Sequence, residues 1–294
     1  MGRARLVCLA LLIMTLAACG TPAPSPPEPA GDPSGPCAPW GCEQVERFEQ
    51  ASAFIAAQQG VLGVVVTDRQ TGAVWRGGDP ALRTWAGSTP KLALALYLLE
   101  EQRAGRRSLT QGDLADIDAM LDTSDNAAAD RLWSAYADAG PVMQRWRETY
   151  GMAEASYVDG FEQRWGNVKV TPQDLINLMT YVLERFDPAD RASIVERMRT
   201  VGGPQQWGVW GAGAQLRPGV KNGWDYPAEQ GSDRKRWVTA TVGFVDADER
   251  YLVAAMYDQP PEGTIDIGVH VLTDLVAILF AAPVPAPAVV PSDY

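Results

Sequence analysis

Residues 88–99 read Ser-Thr-Pro-Lys-Leu-Ala-Leu-Ala-Leu-Tyr-Leu-Leu, and this stretch decides the fold. From Leu92 onward the side chains are apolar almost all round, which predicts a helix buried in the core rather than one on the surface. Pro90 suits the first turn of that helix, where its missing N–H is not needed. The stretch therefore predicts a buried helix that begins beside a serine and a lysine, Ser88 and Lys91.

These two side chains have the arrangement of a nucleophile and a base. Ser88 is placed at the helix N-terminus, where the positive end of the helix dipole stabilises developing negative charge. Lys91 lies one turn further on, on the same face. A lysine held in an apolar helix can have its pKa lowered enough to serve as a base. The alternative interpretation is a helix cap with a lysine that extends to solvent.

The pattern on both sides of this helix predicts one α+β domain from residue 46 to residue 282. Strands from both chain ends are expected to form one antiparallel sheet flanked by terminal helices, with the central helices inserted as a cluster beside it. A pocket is expected at the seam between sheet and cluster. The predicted segments are a helix at 45–58, strands at 62–67 and from 73, helices at 92–99, 114–120, 127–137, 142–150 and 175–186, strands at 219–221, 237–245 and 251–257, and a helix at 265–280.

A second motif, Ser124-Asp125-Asn126, precedes the helical segment at 127–137. The hydroxyl of Ser124 can pass a proton to a leaving nitrogen, and the amide of Asn126 can hold a substrate carbonyl. The alternative is a cap that opens the helix, with Asp125 favoured in its first turn.

The third motif is Lys221-Asn222-Gly223-Trp224, on a predicted strand. Gly223 allows the backbone to approach closely, and the N–H of Trp224 can serve with that of Ser88 as a pair of oxyanion donors. Lys221 supplies positive charge for a substrate carboxylate. The alternative is a turn with a solvated lysine.

The three motifs in this order resemble the Ser-x-x-Lys, Ser-Asp-Asn and Lys-Thr-Gly signature of class A β-lactamases and penicillin-binding proteins. The resemblance extends over nearly all of residues 46–282. It implies that a β-lactam or an acyl-D-Ala-type peptide acylates the serine, without a cofactor or a metal. The residues to which it assigns roles are Ser88, Lys91, Ser124 and Lys221 for catalysis and Asn126, Asn222, Gly223 and Trp224 for substrate binding.

The chain departs from that family in ways that bear on turnover. Asn222 stands where the family has Thr or Ser, and no Glu-x-x-x-Asn precedes Thr171. Glu162 is the nearest candidate for the deacylation base, and its alternative is a surface carboxylate paired with Arg164. Without a positioned water the acyl enzyme would be long-lived, so slow β-lactamase activity is the most we expect. The competing hypothesis is a non-catalytic binding module on the same fold.

The single histidine, His270, lies in the apolar stretch 267–272 and is expected to be a packed helix residue. A Ser-His-Asp mechanism would have to use it. Tryptophans also gather near the predicted site, where they can stack on a substrate or pack within the wall. They are Trp85, Trp165, Trp207, Trp210 and Trp224.

The two ends of the chain predict targeting and connecting segments. A basic start and a short apolar stretch lead to residues 16–20, Leu-Ala-Ala-Cys-Gly, which resemble a bacterial lipobox. We expect a signal peptide at 1–18 and a lipid-anchored tether rich in proline and glycine at 19–45, with Cys19 acylated on the extracytoplasmic face of a bacterial membrane. The alternative is an ordinary cleaved signal with an incidental cysteine.

Two further expectations concern the ends and the charge. Cys37 and Cys42 can close a small loop in an oxidising compartment, and residues 283–294 are expected to be a disordered tail. The net charge of −11 argues against nucleic acid as a partner. A small acyl substrate or a cell-wall peptide is compatible with it.

Overall fold

The computed structural model describes residue 35 and residues 37–227 and 235–292. The predicted signal peptide, Cys19 and most of the tether lie outside these residues. Within the described ranges, no helix is both long enough and apolar enough to cross a membrane.

Eight α-helices, eight strands and three short 3₁₀ turns follow one another in the described part of the chain. They are α1 (Cys42–Ala56), β1 (Val61–Asp68), β2 (Val74–Gly78), β3 (Thr84–Trp85), α2 (Pro90–Arg103), α3 (Gln111–Asp122), α4 (Asn126–Tyr136), α5 (Ala139–Glu148), β4 (Ser156–Tyr157), β5 (Val168–Val170), α6 (Pro172–Glu184), α7 (Pro188–Arg199), the 3₁₀ turns Gly203–Gln205, Gly208–Ala212 and Ala214–Leu216, β6 (Gly219–Asp225), β7 (Val238–Val245), β8 (Tyr251–Asp258) and α8 (Ile265–Leu279).

The main sheet has five antiparallel strands in the order β2-β1-β8-β7-β6. Strand β8 lies between β1 and β7, with Val61 opposite Asp258 and Asp68 opposite Tyr251. The two chain ends therefore share one sheet, as predicted. The edge strand β6 carries the third motif, so the position of β6 sets the position of that motif.

Both faces of this sheet are covered. Successive side chains of β1 point to opposite faces, so Val64 and Val66 belong to the core under the terminal helices α1 and α8, while Val65 belongs to the core under the helical cluster. Burial on both faces explains why β1 is a continuous apolar run instead of an alternating one. The predicted α+β architecture is confirmed.

Helix α2 lies inside the cluster. Its residues from Pro90 to Leu98 are all buried, and Leu92, Leu94, Leu96 and Leu98 have no exposed area. Each of these side chains stabilises the fold by about 2 kcal/mol. The beginning of α2 is thereby held rigidly against its surroundings.

Some elements were not predicted. Helix α7 buries only Ile194, Val195 and Met198 among charged neighbours, so its apolar pattern is too sparse to indicate a helix. A small second sheet, in the order β3-β5-β4, consists of strands of two or three residues, which carry no usable periodicity. The 3₁₀ turns between 203 and 216 were also missed.

The ends of the domain differ from the expectation. Helix α1 begins at Cys42, inside the stretch expected to be a tether, and a disulfide joins Cys42 to Cys37. At the other end, residues 283–292 lie against the domain instead of forming a disordered tail. Ala286 is buried, and its N–H donates a hydrogen bond to Asp274 Oδ1 at 2.7 Å. Small apolar side chains from this proline-rich segment fill space beside the core, which composition alone did not indicate.

Candidate active site

Ser88 lies in the turn that immediately precedes α2. Gly87 adopts a φ of +54°, and the N–H of Lys91 donates to the carbonyl of Ser88 at 3.2 Å. The hydroxyl of Thr89 donates to the carbonyl of Ala86 at 2.9 Å, which fixes the turn from the other side. Ser88 is only 7% exposed, and that exposed fraction faces a cavity.

The cavity has a volume of about 820 Å³ and lies at the predicted seam between sheet and helices. The turn before α2, the loop before α4, the loop between β4 and β5, and strand β6 all contribute to its wall. Of the predicted site residues, Ser88, Ser124, Asn126, Glu162 and Trp224 line it. The three motifs therefore meet at one place although they are far apart in sequence.

The side chain of Lys91 is buried and its amine contacts the second motif. Nζ donates to the carbonyl of Ser124 at 2.5 Å and to Oδ1 of Asn126 at 2.6 Å, and it lies 3.2 Å from Oγ of Ser124. The ring of Trp165 covers it, with Nζ 4.4 Å from the ring centroid. The first and second motifs are thus joined through one amine.

Burial lowers the pKa of Lys91 to about 7, because the charged form loses hydration. The carboxylates of Asp125 and Asp130 oppose this effect, and Arg164 reinforces it. Near neutral pH a large fraction of Lys91 is therefore unprotonated and able to accept a proton.

Lys221 is fully buried at the other side of the same hydroxyl. Its Nζ donates to Oγ of Ser124 at 2.9 Å, to the carbonyl of Asn222 at 2.8 Å and to Oε1 of Gln205 at 3.0 Å. Burial, and then the charge of Lys91, hold its pKa well below the usual range. Three acceptors already surround the amine of Lys221, and Lys221 does not line the cavity. Lys221 is therefore not placed to contact a substrate carboxylate, contrary to the expectation.

The backbone at Ser124 is held in the left-handed region, with φ of +66°. Serine adopts this conformation at a cost, and such positions persist only where the surroundings enforce them. Here the carbonyl of Ser124 accepts from Lys91, and Asp125 caps α4 by accepting from the N–H of Ala128 at 2.7 Å. The enforced turn brings the Ser124 hydroxyl between the two lysines.

Strand β6 approaches the Ser88 turn so closely that only glycine fits at Gly223. A Cβ at this position would lie 2.5 Å from both the carbonyl oxygen of Ala86 and the backbone N of Ser88. A Cβ on Gly87 would in turn meet the backbone N of Trp224. The backbone nitrogens of Ser88 and Trp224, predicted as the oxyanion donors, thus lie on either side of one tight backbone contact.

Gly223→Ala is therefore expected to lower the free energy of unfolding by about 1–3 kcal/mol, because backbone atoms must move to admit the methyl group. Chemical denaturation measures the change. The matched control is Gly112→Ala in α3, where the new Cβ meets only Oγ1 of Thr110 at an ordinary 3.5 Å. That control is expected to leave the protein as stable or slightly more stable. Equal stability of Gly223→Ala and wild type would contradict the close contact.

Asn222 is placed differently from the expectation. It is fully buried and does not line the cavity. Its amide donates to the carbonyls of Gln205 at 2.9 Å and Trp207 at 3.1 Å, while its backbone N–H donates to Oε1 of Gln205 at 2.7 Å. Asn222 therefore holds the 203–207 turn and not a substrate. Gln205, which contacts both Lys221 and Asn222, carried no recognisable sequence signal.

Glu162 is exposed at the rim of the cavity, in the loop between β4 and β5. Its carbonyl accepts from the amide of Asn167, five residues further along the same loop, at 2.8 Å. Arg164 does not pair with it as the alternative interpretation required. Arg164 binds Asp130, which also accepts from the indole N–H of Trp165 at 2.8 Å.

The tryptophans divide between wall and core. Trp165 and Trp224 line the cavity, whereas Trp207 is fully buried and packs against Trp224 with ring centroids 6.1 Å apart. His270 lies on α8 with its side chain 41% exposed, 3.7 Å from Asp266, and does not line the cavity. His270 is on a helix, as expected, but its side chain is half-exposed, so the expectation that it is packed in the core is wrong.

Comparisons with known proteins show which sequences and which folds this chain is similar to. No protein-family model matches it. The protein named “Putative lipoprotein LppW” in Mycobacterium tuberculosis and in Mycobacterium bovis is 31% identical over 227 residues, which cover 74% of this chain and 69% of theirs. Among solved structures, a β-lactamase from Xanthomonas campestris has a TM-score of 0.65 at 18% identity, over 81% of this chain and 97% of that one. A reconstructed ancestral class A β-lactamase has a TM-score of 0.64 at 18% identity, over 80% of this chain and 99% of that one.

The sequence relationship shows the family, and the structural comparison shows the fold. The chain belongs to the LppW family and has the fold of class A β-lactamases.

Proposed function

We propose that this protein is an acyl-serine enzyme whose nucleophile is Ser88. The observation that carries the proposal is the hydroxyl of Ser124, which lies within 3.2 Å of the amine of Lys91 and 2.9 Å of that of Lys221, beside the cavity that contains Ser88. Two buried lysines that share one hydroxyl cost the fold stability, and such costs are typical of functional sites.

The proposed reaction begins with proton transfer from the Ser88 hydroxyl to the neutral amine of Lys91. Oγ of Ser88 bonds to the acyl carbon, and the negative charge moves to the carbonyl oxygen between the backbone N–H groups of Ser88 and Trp224. The carbon–nitrogen or carbon–oxygen bond of the donor then breaks. The leaving atom takes a proton from the hydroxyl of Ser124, and the protonated Lys91 returns to Ser124 the proton that it took from Ser88.

The proposed substrates are β-lactams or cell-wall peptides, with other esters and amides as acyl donors. The cavity provides Asn126 for the donor carbonyl, while Asn222 and Lys221 are engaged inside the protein. We therefore expect weak selection for a substrate carboxylate and slow β-lactamase activity at most.

Intact-protein mass spectrometry with a reactive penicillin and with an aryl ester tests the proposal on a protein that begins at residue 20, so that α1 and the Cys37–Cys42 disulfide are retained. The expected result is a stoichiometric adduct that peptide mapping assigns to Ser88. The decay of the adduct after removal of the donor distinguishes a hydrolase from an enzyme that is acylated and persists in that state. An unmodified mass with every donor would overturn the proposal.

Glu162→Gln is expected to lengthen the lifetime of the adduct by about tenfold or more if its carboxylate activates the attacking water. The substitution removes the base but retains the size and the backbone contact with Asn167. The decay of the adduct mass with time provides the measurement, and Gln163→Glu is a matched control in the same loop. A variant that clears its adduct at the wild-type rate would exclude Glu162 as the deacylation base.

A non-catalytic binding module on the same fold is the second candidate. The observation that favours it is the withdrawal of Asn222 and Lys221 from the cavity, which removes two groups that would hold a substrate. Retention of a ligand by the wild type and by Ser88→Ala alike, with no covalent adduct, would establish this second function.

We also propose that Cys19 carries the lipid that holds the domain at the extracytoplasmic face of a membrane. The lipobox-like residues 16–20 and the name of the LppW relatives support this assignment. Metabolic labelling with a clickable fatty acid tests it. Label in the wild type that is lost in Cys19→Ala is the expected result, and equal labelling of both would overturn it.

A further inference from the structure

The last described residues, 283–292, run from the end of α8 to the cavity. Two hydrogen bonds from backbone N–H groups hold them, one from Ala286 N–H to the side-chain Oδ1 of Asp274 at 2.7 Å and one from Val289 N–H to the carbonyl of Gln206 at 3.1 Å. The side chain of Val290 packs against the core under the terminal helices. The segment therefore has a defined path along the domain.

This path leads to the candidate active site. Pro291 is buried, and Pro291 and Ser292 line the same cavity as Ser88 and Trp224. Pro204, from the turn on which Val289 is docked, lines it as well. Pro204, Pro291 and Ser292 thus build a side of the cavity, in addition to the three motifs.

We infer that residues 291 and 292 form a wall of the acyl-donor site and limit the size of the donor that Ser88 can attack. The inference rests on the proposed function. It names the class of substrate as acyl donors whose group next to residues 291 and 292 is compact. Proline has a fixed φ and a rigid ring, so Pro291 cannot move aside by side-chain rotation. Misfit of a few atoms against such a wall changes the specificity ratio by about 10- to 200-fold.

The docking of the segment limits how the inference can be tested. Val289 binds the carbonyl of Gln206, and the neighbouring Gln205 accepts from the amine of Lys221. Removal of Val289 would therefore disturb Lys221 as well as the wall. A deletion that begins at residue 291 retains the hydrogen bond of Val289 and the packing of Val290, and removes Pro291 and Ser292 from the cavity wall.

Two variants test the wall in opposite directions. Deletion of residues 291–294 opens it, and Ser292→Trp narrows the cavity. The control is Val284→Ala, in the same segment but 50% exposed and not lining the cavity. The donors are p-nitrophenyl acetate and p-nitrophenyl diphenylacetate, which share a leaving group and differ in the bulk of the acyl group. Release of p-nitrophenol, corrected with Ser88→Ala, gives the acylation rate.

The deletion is expected to raise the rate with the diphenylacetate about tenfold and to change the rate with the acetate by less than about twofold. Ser292→Trp is expected to lower the diphenylacetate rate about tenfold, and Val284→Ala to behave as wild type. Equal changes with both donors, in either variant, would overturn the inference while the proposed function stands. Wild-type protein that forms no Ser88 adduct with either donor would overturn both.

Discussion

Ser88→Ala is expected to abolish acyl-adduct formation and to lower the acylation rate by about 10⁴-fold or more, because no oxygen remains to form the ester. The residue is small and nearly buried at the beginning of a helix whose following residues, through Leu98, are all buried, so the methyl side chain fits without rearrangement. The variant is therefore expected to unfold at a denaturant concentration close to that of wild type, and loss of activity reports chemistry and not folding.

The measurement is the adduct mass and the burst of p-nitrophenol from an aryl ester. Thr123→Ala is the matched control, because Thr123 is a second hydroxyl at the cavity whose Oγ1 donates to the carbonyl of Ala119 at 3.2 Å. It is expected to retain the adduct. An adduct that persists in Ser88→Ala and maps to Ser124 would transfer the nucleophile to that residue.

The second large effect is expected from Lys91→Met, which removes the base and retains an apolar stem of similar length. The acylation rate is expected to fall by about 10²- to 10⁴-fold. In wild type the rate should rise with pH through about 7, since burial lowers the pKa of Lys91 to about 7 and only the neutral amine accepts the proton of Ser88. Below that pH the amine is protonated and the rate is lost.

The pH dependence of the acylation rate constant distinguishes this role from a structural one. Lys91→Met is expected to lose the rise near pH 7 as well as the rate. Lys169→Met, on β5 outside the cavity, is expected to retain both. A rise near pH 7 that survives in Lys91→Met would assign it to another group and contradict the proposed base.

Much of the fold could be predicted because its signals are long. The apolar stretch that became α2, the β-branched residues of β1 and the strands β7 and β8 are each seven or more residues of one period or composition. Helix α6 begins at Pro172, three residues before the predicted start, because Thr171 and Asp174 form a reciprocal capping box. Helix α7 and the small sheet could not be predicted, because their stability comes from tertiary contacts and not from local pattern.

The site could be predicted as a set of residues but not as a set of contacts. Short motifs indicated that Ser88, Lys91 and Ser124 act together, and the structure brings Lys91 into contact with Ser124 and both serines to the cavity. The motifs gave no indication that Gln205 accepts a hydrogen bond from the amine of Lys221. The motifs also gave no indication that the amide of Asn222 donates to carbonyls of the 203–207 turn. Such orientations depend on which backbone carbonyls lie nearby, and that is decided by the fold.

The pairing of β1 with β8 has a consequence for how the molecule reaches its native state. The inner strands of the main sheet come from opposite ends of the chain, so β1 has no partner on that side until residues 251–258 are available. Contacts of such wide sequence separation slow the search for the native topology, because a very long loop must close first. A growing chain therefore remains without its central sheet until residues 251–258 have been synthesised. Any fragment that stops before residue 251 is expected to stay in a collapsed, non-native ensemble.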